Sequence, residues 1–371
     1  MEKYVDATNV KVSNHISEDL AFSILSKLPV KSLKRFGCVK NSWTLLLENL
    51  HFLSMYRNYL LLNNQSNNDD MSILLNQRNE ECHSTLYILS GERFENRVKL
   101  DWPPPFHVND TSIYIVGKTS VRGTLCIVQE VGYYPKCVFW NPTIDEFKVI
   151  PSSPFVPKPI VVSNGFGYDH VGDDYKVIRW LSADEYVDPI WEIYSLRSNS
   201  WRKLDIEMPY GYLKEQLYVD GVCHWLTICN DDNSAHQNES RLVSFDLHNE
   251  VFLTTPLPTD MIKFWAFHLM LLNGSIACII YDQNTTFSVI ILGELGVKKS
   301  WTKIFIVEPL PCIEQFIGTG NKGDIFFRKY DDELVLFNLS TQKIEEVGVK
   351  VWDYFFHIVT YKGNLLPFGS F

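Results

Sequence analysis

The sequence predicts two parts: a small all-α segment of three helices over residues 10–55, and an all-β propeller of about six blades over residues 56–371. Three observations carry this reading. Helical spacing of apolar residues is confined to the first fifty-odd positions, a glycine-then-strand pattern recurs about every 50 residues after them, and aromatic residues make up 14% of the chain. The aromatic content favours strands, because pleated, half-buried surfaces select aromatic and β-branched side chains.

The helices come first. From Ser17, the residues Leu20, Ile24, Leu25 and Leu28 recur three and four apart, the spacing of one helix face. Ser17 is a good N-cap, and Glu18 and Asp19 sit in the first turn, where the helix dipole favours negative charge. Pro29 stops this helix, Leu33 and Phe36 give the second an apolar face, and Val39, Trp43, Leu46 and Leu47 give the third. About 40 residues cannot bury a core of their own; domains that small need a metal, disulfides or a partner. The eight cysteines contain no C-x-x-C pair and read as small buried hydrophobes rather than as ligands or bridges. Spacing alone leaves two readings open: a partner protein covers the apolar face, or the following domain does. Burial of each such side chain is worth roughly 1.5–3 kcal/mol, so half a dozen sustain an interface after ordering costs.

The propeller follows. Glycine precedes an apolar strand at Gly123, Gly172, Gly221, Gly274, Gly323 and Gly363, in steps of 49, 49, 53, 49 and 40 residues, near the ~50-residue period of kelch-type blades. Each unit then carries a strand–turn–strand signature: Phe139 to Asp145, Tyr194 to Trp201, Phe245 to Phe252, Ile291 to Trp301 and Phe337 to Lys343. An earlier signature, Leu86 to Val98, has no glycine-strand ahead of it, and the unpaired Gly363 segment is expected to supply that missing inner strand. Closure from both chain ends removes the sheet edges that invite aggregation.

Other chemistries are weak or absent in the sequence. The formal net charge is −10, which repels a phosphate backbone and argues against nucleic acid. The N-terminal residues lack the apolar core of a secretory signal. The longest apolar stretch, around Leu269 to Tyr281, is cut by Asn273, Gly274 and Ser275, short of the ~20 residues a bilayer span needs. A soluble cytoplasmic or nuclear protein without membrane contact is expected. Gly318-Thr319-Gly320-Asn321-Lys322-Gly323 matches the dinucleotide fingerprint. A pyrophosphate site needs a helix after those glycines, whereas Asp324-Ile325-Phe326-Phe327 reads as strand. The ten histidines are scattered without ligand spacing; His224 reads as a core histidine and His170 as a turn residue. No serine stands in a nucleophile elbow. No catalytic residue, metal or cofactor is expected. Trp180, Tyr186, Tyr210, Tyr212 and Trp265 flank expected loops and are candidate anchors for a substrate, since interface hot spots favour Trp and Tyr.

Residues 16–43 resemble the plant F-box family. The carrying residues are Ile16-Ser17-Glu18-Asp19-Leu20, then Ile24-Leu25-Ser26-Lys27-Leu28-Pro29-Val30-Lys31-Ser32-Leu33, Arg35-Phe36-Gly37-Cys38-Val39 and Ser42-Trp43. The repeats resemble the F-box-associated, kelch-like domain of the same proteins, in Trp140-Asn141-Pro142, Gly165-Phe166-Gly167-Tyr168-Asp169, Asp174-Tyr175-Lys176-Val177, Tyr194-Ser195-Leu196 and the run Gly293 to Trp301. Many family members have proline where Ser17 stands. The resemblance implies that Ile16, Leu20, Ile24, Leu25, Leu28, Pro29, Val30, Leu33, Phe36, Val39 and Trp43 form or support contact with a Skp-family linker protein, and through it with a cullin scaffold. It implies a non-catalytic adaptor of an SCF ubiquitin ligase, holding an unknown protein substrate for ubiquitination and degradation. Two other readings stay open at this stage: a kelch-like propeller enzyme, and a linker-binding scaffold outside any ligase.

Overall fold

The chain divides into two compact units, residues 1–67 and 68–371. The computed structural model describes residues 18–25, 49 and 52 of the first unit and, apart from several connecting segments, residues 72–368 of the second.

In the first unit, helix α1 spans Glu18–Leu25. It buries Ala21 and Leu25 and leaves Ile24 49% exposed. Phe52 is fully buried, and its backbone N–H donates to the Asn49 side-chain oxygen. The second and third expected helices lie outside the described residues.

The second unit is a propeller of six four-stranded antiparallel sheets. One blade combines β1 (Ser72–Arg78), β2 (Ser84–Ser90) and β3 (Asn96–Leu100) with the last strand, β24 (Phe356–Tyr361). The next contains β4 (Ile113–Ile115), β5 (Leu125–Gln129), β6 (Lys136–Asn141) and β7 (Glu146–Ile150). The third contains β8 (Ile160–Asp169), β9 (Asp174–Ser182), β10 (Ile190–Ser195) and β11 (Ser200–Leu204), and the fourth β12 (Tyr212–Val219), β13 (Val222–Ile228), β14 (Arg241–Asp246) and β15 (Val251–Pro256). The fifth has β16 (Ala266–Leu272), β17 (Ser275–Tyr281), β18 (Phe287–Leu292) and β19 (Trp301–Val307), and the sixth β20 (Ile313–Thr319), β21 (Asp324–Lys329), β22 (Glu333–Asn338) and β23 (Lys343–Lys350).

The inner strands of the ring are β4, β8, β12, β16, β20 and β24. Burial explains why the repeat was visible. Second strands are apolar and covered on both faces, as in β5 and β21, whereas outer strands such as β3 and β23 are largely exposed. Six apolar clusters fill the six junctions between neighbouring blades. The core is therefore a ring of sheet-on-sheet interfaces.

Turn chemistry repeats with the blades. Asp220 and Gly221 both have positive φ, 45° and 88°, as a two-residue hairpin between twisted strands requires. Between third and fourth strands, Asp145, Asn199, Glu250 and Gln342 each adopt a left-handed conformation just before the outer strand. At the head of each turn a side-chain oxygen of Asn141, Ser195, Asp246 or Asn338 accepts a backbone N–H from within the turn, the local bonding that suits these residue types to turns. The tryptophans of the two Ser-Trp signatures link blades. Trp201 Nε1 donates to the Pro151 carbonyl at 2.6 Å and Trp301 Nε1 to the Pro256 carbonyl at 3.2 Å, each at the end of the preceding blade.

Closure differs in detail from the sequence expectation. The C-terminal inner strand is β24, ahead of Gly363, and it pairs with β1 from Ser72↔Tyr361 to Gln77↔Phe356. The glycine-strand counterpart in that blade is β1 itself. Gly363 opens an irregular segment that seals the next blade: Asn141 Nδ2 donates to the Asn364 carbonyl, and Asn364 Nδ2 to the Arg122 carbonyl. Leu365 and Phe368 are buried there, so an apolar run after glycine marks burial in this case rather than a strand.

The Gly165-Phe166-Gly167-Tyr168-Asp169 run lies in β8 because a neighbouring blade leaves no room for side chains. A Cβ on Gly165 would stand 2.4 Å from the Trp225 ring, and one on Gly167 would stand 2.5 Å from Tyr218. Trp225 is 1% exposed and pinned by its indole N–H to the Asn164 carbonyl. Gly165→Ala is expected to lower the unfolding free energy by about 1–3 kcal/mol, the cost of overpacking a fixed core. Urea unfolding of the variant checks this, and an unchanged midpoint would show that Trp225 can yield.

Candidate functional site

The inner strands surround a channel whose two ends differ. At one end the strands are joined by tight turns such as residues 220–221 and 142–145; at the other lie the strand ends Ser182 and Ile190, Ile228 and Arg241, and Tyr281 and Phe287. Long connections on a rigid scaffold are where binding residues concentrate. A cavity of about 490 Å³ opens among the strand ends on this side, within the ~300–1,000 Å³ of small-molecule sites. All six inner strands line it, through residues such as Tyr114, Asn164, Glu215, His268, Gln315 and His357.

Glu215 is the electrostatic centre. It sits at a register shift between Lys214 and Leu217, with a positive φ of 52°; such bulges re-aim a side chain. Its carboxylate accepts from Lys118 Nζ at 2.8 Å, from His268 Nδ1 at 2.5 Å and from the Leu269 backbone N–H at 3.0 Å. The His268 ring stacks on Phe316 with centroids 4.2 Å apart. Burial pushes the Glu215 carboxyl up, but the Lys118 ammonium and the His268 contact outweigh it and hold the group well below the usual carboxylate range. With donors on both oxygens, Glu215 acts as a strut between blades.

Three amide side chains on residues that border the same cavity carry oxygens turned away from it. Asn76 Oδ1, Asn164 Oδ1 and Gln315 Oε1 are buried and have no hydrogen-bond donor among the described residues. The Asn76 amide orientation is fixed, because Nδ2 donates to the Ile113 carbonyl at 3.1 Å and so leaves the oxygen over. Asn164 Nδ2 bonds the Tyr114 hydroxyl at 2.7 Å. A buried acceptor without a partner costs about 1–3 kcal/mol.

Two neutral histidines shape the pH response. His224 is 1% exposed, its Nδ1 is 2.8 Å from Ser244 Oγ, and burial pulls its pKa down to about 4. His357, bordering the cavity, is also pulled down to about 4, by burial and then by the Lys118 charge. The folded pKa lies below the unfolded value of about 6.5, so the unfolded chain binds the extra proton. Stability is therefore full above pH 6.5 and falls as the pH drops towards 4. At about 1.4 kcal/mol per unit, His224 alone contributes a loss of about 2 kcal/mol at pH 5. Urea unfolding at pH 7.5 and 5 should show this loss, with a flatter dependence in His224→Gln. Equal stability at both values would mean that the ring is protonated or solvated in the folded state.

The residues expected from sequence distribute as follows. Trp180 lies in β9 with its ring stacked 6.2 Å from Trp191 at 17°, partly buried against the core. Tyr212 opens β12. Tyr186, Tyr210 and Trp265 lie outside the described residues. Leu20, Ile24 and Leu25 lie in α1; Ile16, Leu28, Pro29, Val30, Leu33, Phe36, Val39 and Trp43 lie outside the described residues. Gly318 and Thr319 close β20 and Asp324 opens β21, so no helix follows those glycines. Among the described residues no cluster of three or more His, Cys, Asp or Glu could hold a metal, and no helix is long and apolar enough to cross a membrane. The cavity residues escaped sequence reasoning, because Lys118, Glu215 and His268 are brought together only by ring closure.

Comparison with known proteins gives a consistent picture. Residues 72–362 match the family model described as the F-box associated beta propeller domain. An F-box/kelch-repeat protein of Arabidopsis thaliana is 25% identical over 339 residues, 85% of this chain and 86% of the relative. An F-box protein of the same plant is 23% identical, covering 85% of this chain and 75% of the relative. Among solved structures, TolB from Acinetobacter baumannii aligns with a TM-score of 0.52 at 12% identity, over 84% of this chain and 72% of TolB; this supports the fold alone.

Proposed function

The chain belongs to the F-box associated beta propeller domain family, and from that premise we propose that it is the substrate-recognition subunit of an SCF-type ubiquitin ligase. The observation that carries this reading is the likeness to F-box relatives over 85% of the chain, a span too long for the propeller alone to fill. The N-terminal unit docks on a Skp-family linker through Leu20, Ile24, Leu28, Val30, Leu33 and their neighbours, with the buried Leu25 supporting the contact. The exposure of Ile24, an apolar side chain on α1, supports such a docked face. The linker joins a cullin scaffold, and the propeller holds the target.

Recognition occurs at the end of the ring where the cavity opens. Trp180, Tyr186, Tyr210, Tyr212 and Trp265 supply anchoring area for the target. The chain itself breaks no bond. Tethering raises the effective concentration of target lysines near a ubiquitin-loaded enzyme. The setting is the cytoplasm or nucleus.

Affinity capture with the proteasome blocked tests the reading, comparing the intact chain with residues 56–371. Targets should be enriched on both baits, while linker and cullin follow the intact chain only. Linker without cullin on the intact bait would instead support a scaffold outside any ligase.

A further inference from the structure

We propose that the central cavity receives a carboxylate of the target, presented on an acidic peptide segment. The inference rests on the recognition role given to this end of the propeller and names the chemistry received there. It does not depend on linker binding.

Charge carries the inference. The chain as a whole is acidic, with 34 Lys and Arg against 44 Asp and Glu. The cavity wall reverses that balance: among the described residues, Arg78 and Lys118 stand against a single carboxylate, Glu215. Lys118, His268 and Glu215 keep 11%, 24% and 26% of their side-chain surface, so the charged side chains of the wall remain accessible. Arg78 is partly buried at the end of β1, and its Nη2 stands 3.5 Å from the Ile113 carbonyl at the start of β4. That contact sets the guanidinium between two blades. The ring of His357 reports the local field. Beyond burial, the Lys118 charge favours its neutral form and Arg78 acts in the same direction, opposed by Glu215.

A cationic ligand fits this wall poorly. Glu215 already accepts from Lys118, His268 and the Leu269 backbone N–H, so an incoming ammonium would meet an engaged carboxylate beside a like charge. A carboxylate is drawn by the two cations, and its two oxygens match the fork of a guanidinium. One net positive charge on the wall also suits a singly charged group better than a phosphate dianion, which Glu215 would repel twice as strongly. An acidic segment is repelled by the body of a chain of net charge −10 and attracted only where the sign reverses. The cavity therefore supplies specificity as well as attraction.

The test is isothermal titration of the full chain with an acetylated, amidated hexapeptide of alternating glycine and glutamate. Its glutamine, lysine and phosphoserine counterparts serve as comparisons. The glutamate peptide should bind saturably at one site and more tightly than the other three. Arg78→Gln should weaken it tenfold or more. Glu215→Gln, which removes the one carboxylate of the wall at constant size, should instead tighten it several-fold, an effect that loss of a structural strut would not produce. The proposal is overturned if the glutamate peptide does not bind or if any comparison peptide binds as tightly. It is also overturned if folded Arg78→Gln binds like the parent or folded Glu215→Gln binds no more tightly. Linker capture, measured on the same preparations, separates this outcome from failure of the adaptor reading.

Discussion

Glu192→Ala is expected to destabilise the propeller by about 3–5 kcal/mol, the largest loss from any single substitution considered. Glu192 is fully buried and Arg179 is 3% exposed, and the two face each other across β10 and β9. The carboxylate accepts from Arg179 Nε at 3.0 Å and Nη2 at 2.5 Å, and from the Ser153 hydroxyl. The guanidinium also lies 3.8 Å from the centre of the Trp201 ring. Removing the carboxylate strands a cation where water cannot reach it, and that uncompensated charge sets the cost. The double variant Glu192→Ala with Arg179→Met removes both charges and should recover a large part of the loss. Equilibrium unfolding of the three proteins measures the coupling. A loss under about 1 kcal/mol in the single variant would mean that the guanidinium finds solvent.

The second large effect concerns binding. Leu28→Asp is expected to abolish capture of a Skp-family linker while leaving the β-sheet signal and unfolding midpoint of the propeller unchanged. The reason is the size of the helical segment: a charge placed on a face that must be desolvated cancels the burial of several neighbours. Full-strength linker capture with the aspartate in place would show that this face is not the contact.

The repeat was legible because its punctuation is physical. Gly123, Gly221 and Gly274 adopt positive φ at hairpin turns, and the second strands they introduce are buried on both faces, so they read as unbroken apolar runs. The Ser-Trp signatures were legible for a similar reason, since Trp201 and Trp301 occupy equivalent junctions between blades. Closure was legible in principle but not in position. The closing strand Phe356–Tyr361 carries no described glycine turn before it, whereas Gly363 has the local pattern of a strand opening and instead leads a buried coil. The cavity was illegible. Lys118, Glu215 and His268 are separated by 97 and 53 residues, and Glu215 depends on a bulge that Leu213 to Leu217 does not announce by composition. Asn76, Asn164 and Gln315 resemble any other amides until the ring gathers the residues around one space.

The most direct measurement is the half-life of a protein captured by the propeller, followed in cells that express either the intact chain or one with its first 55 residues removed. Tethered delivery to a ligase predicts a short half-life with the intact chain and a several-fold longer one with the truncated form, although both bind the target. Equal half-lives, with binding intact in both, would contradict delivery to a ligase.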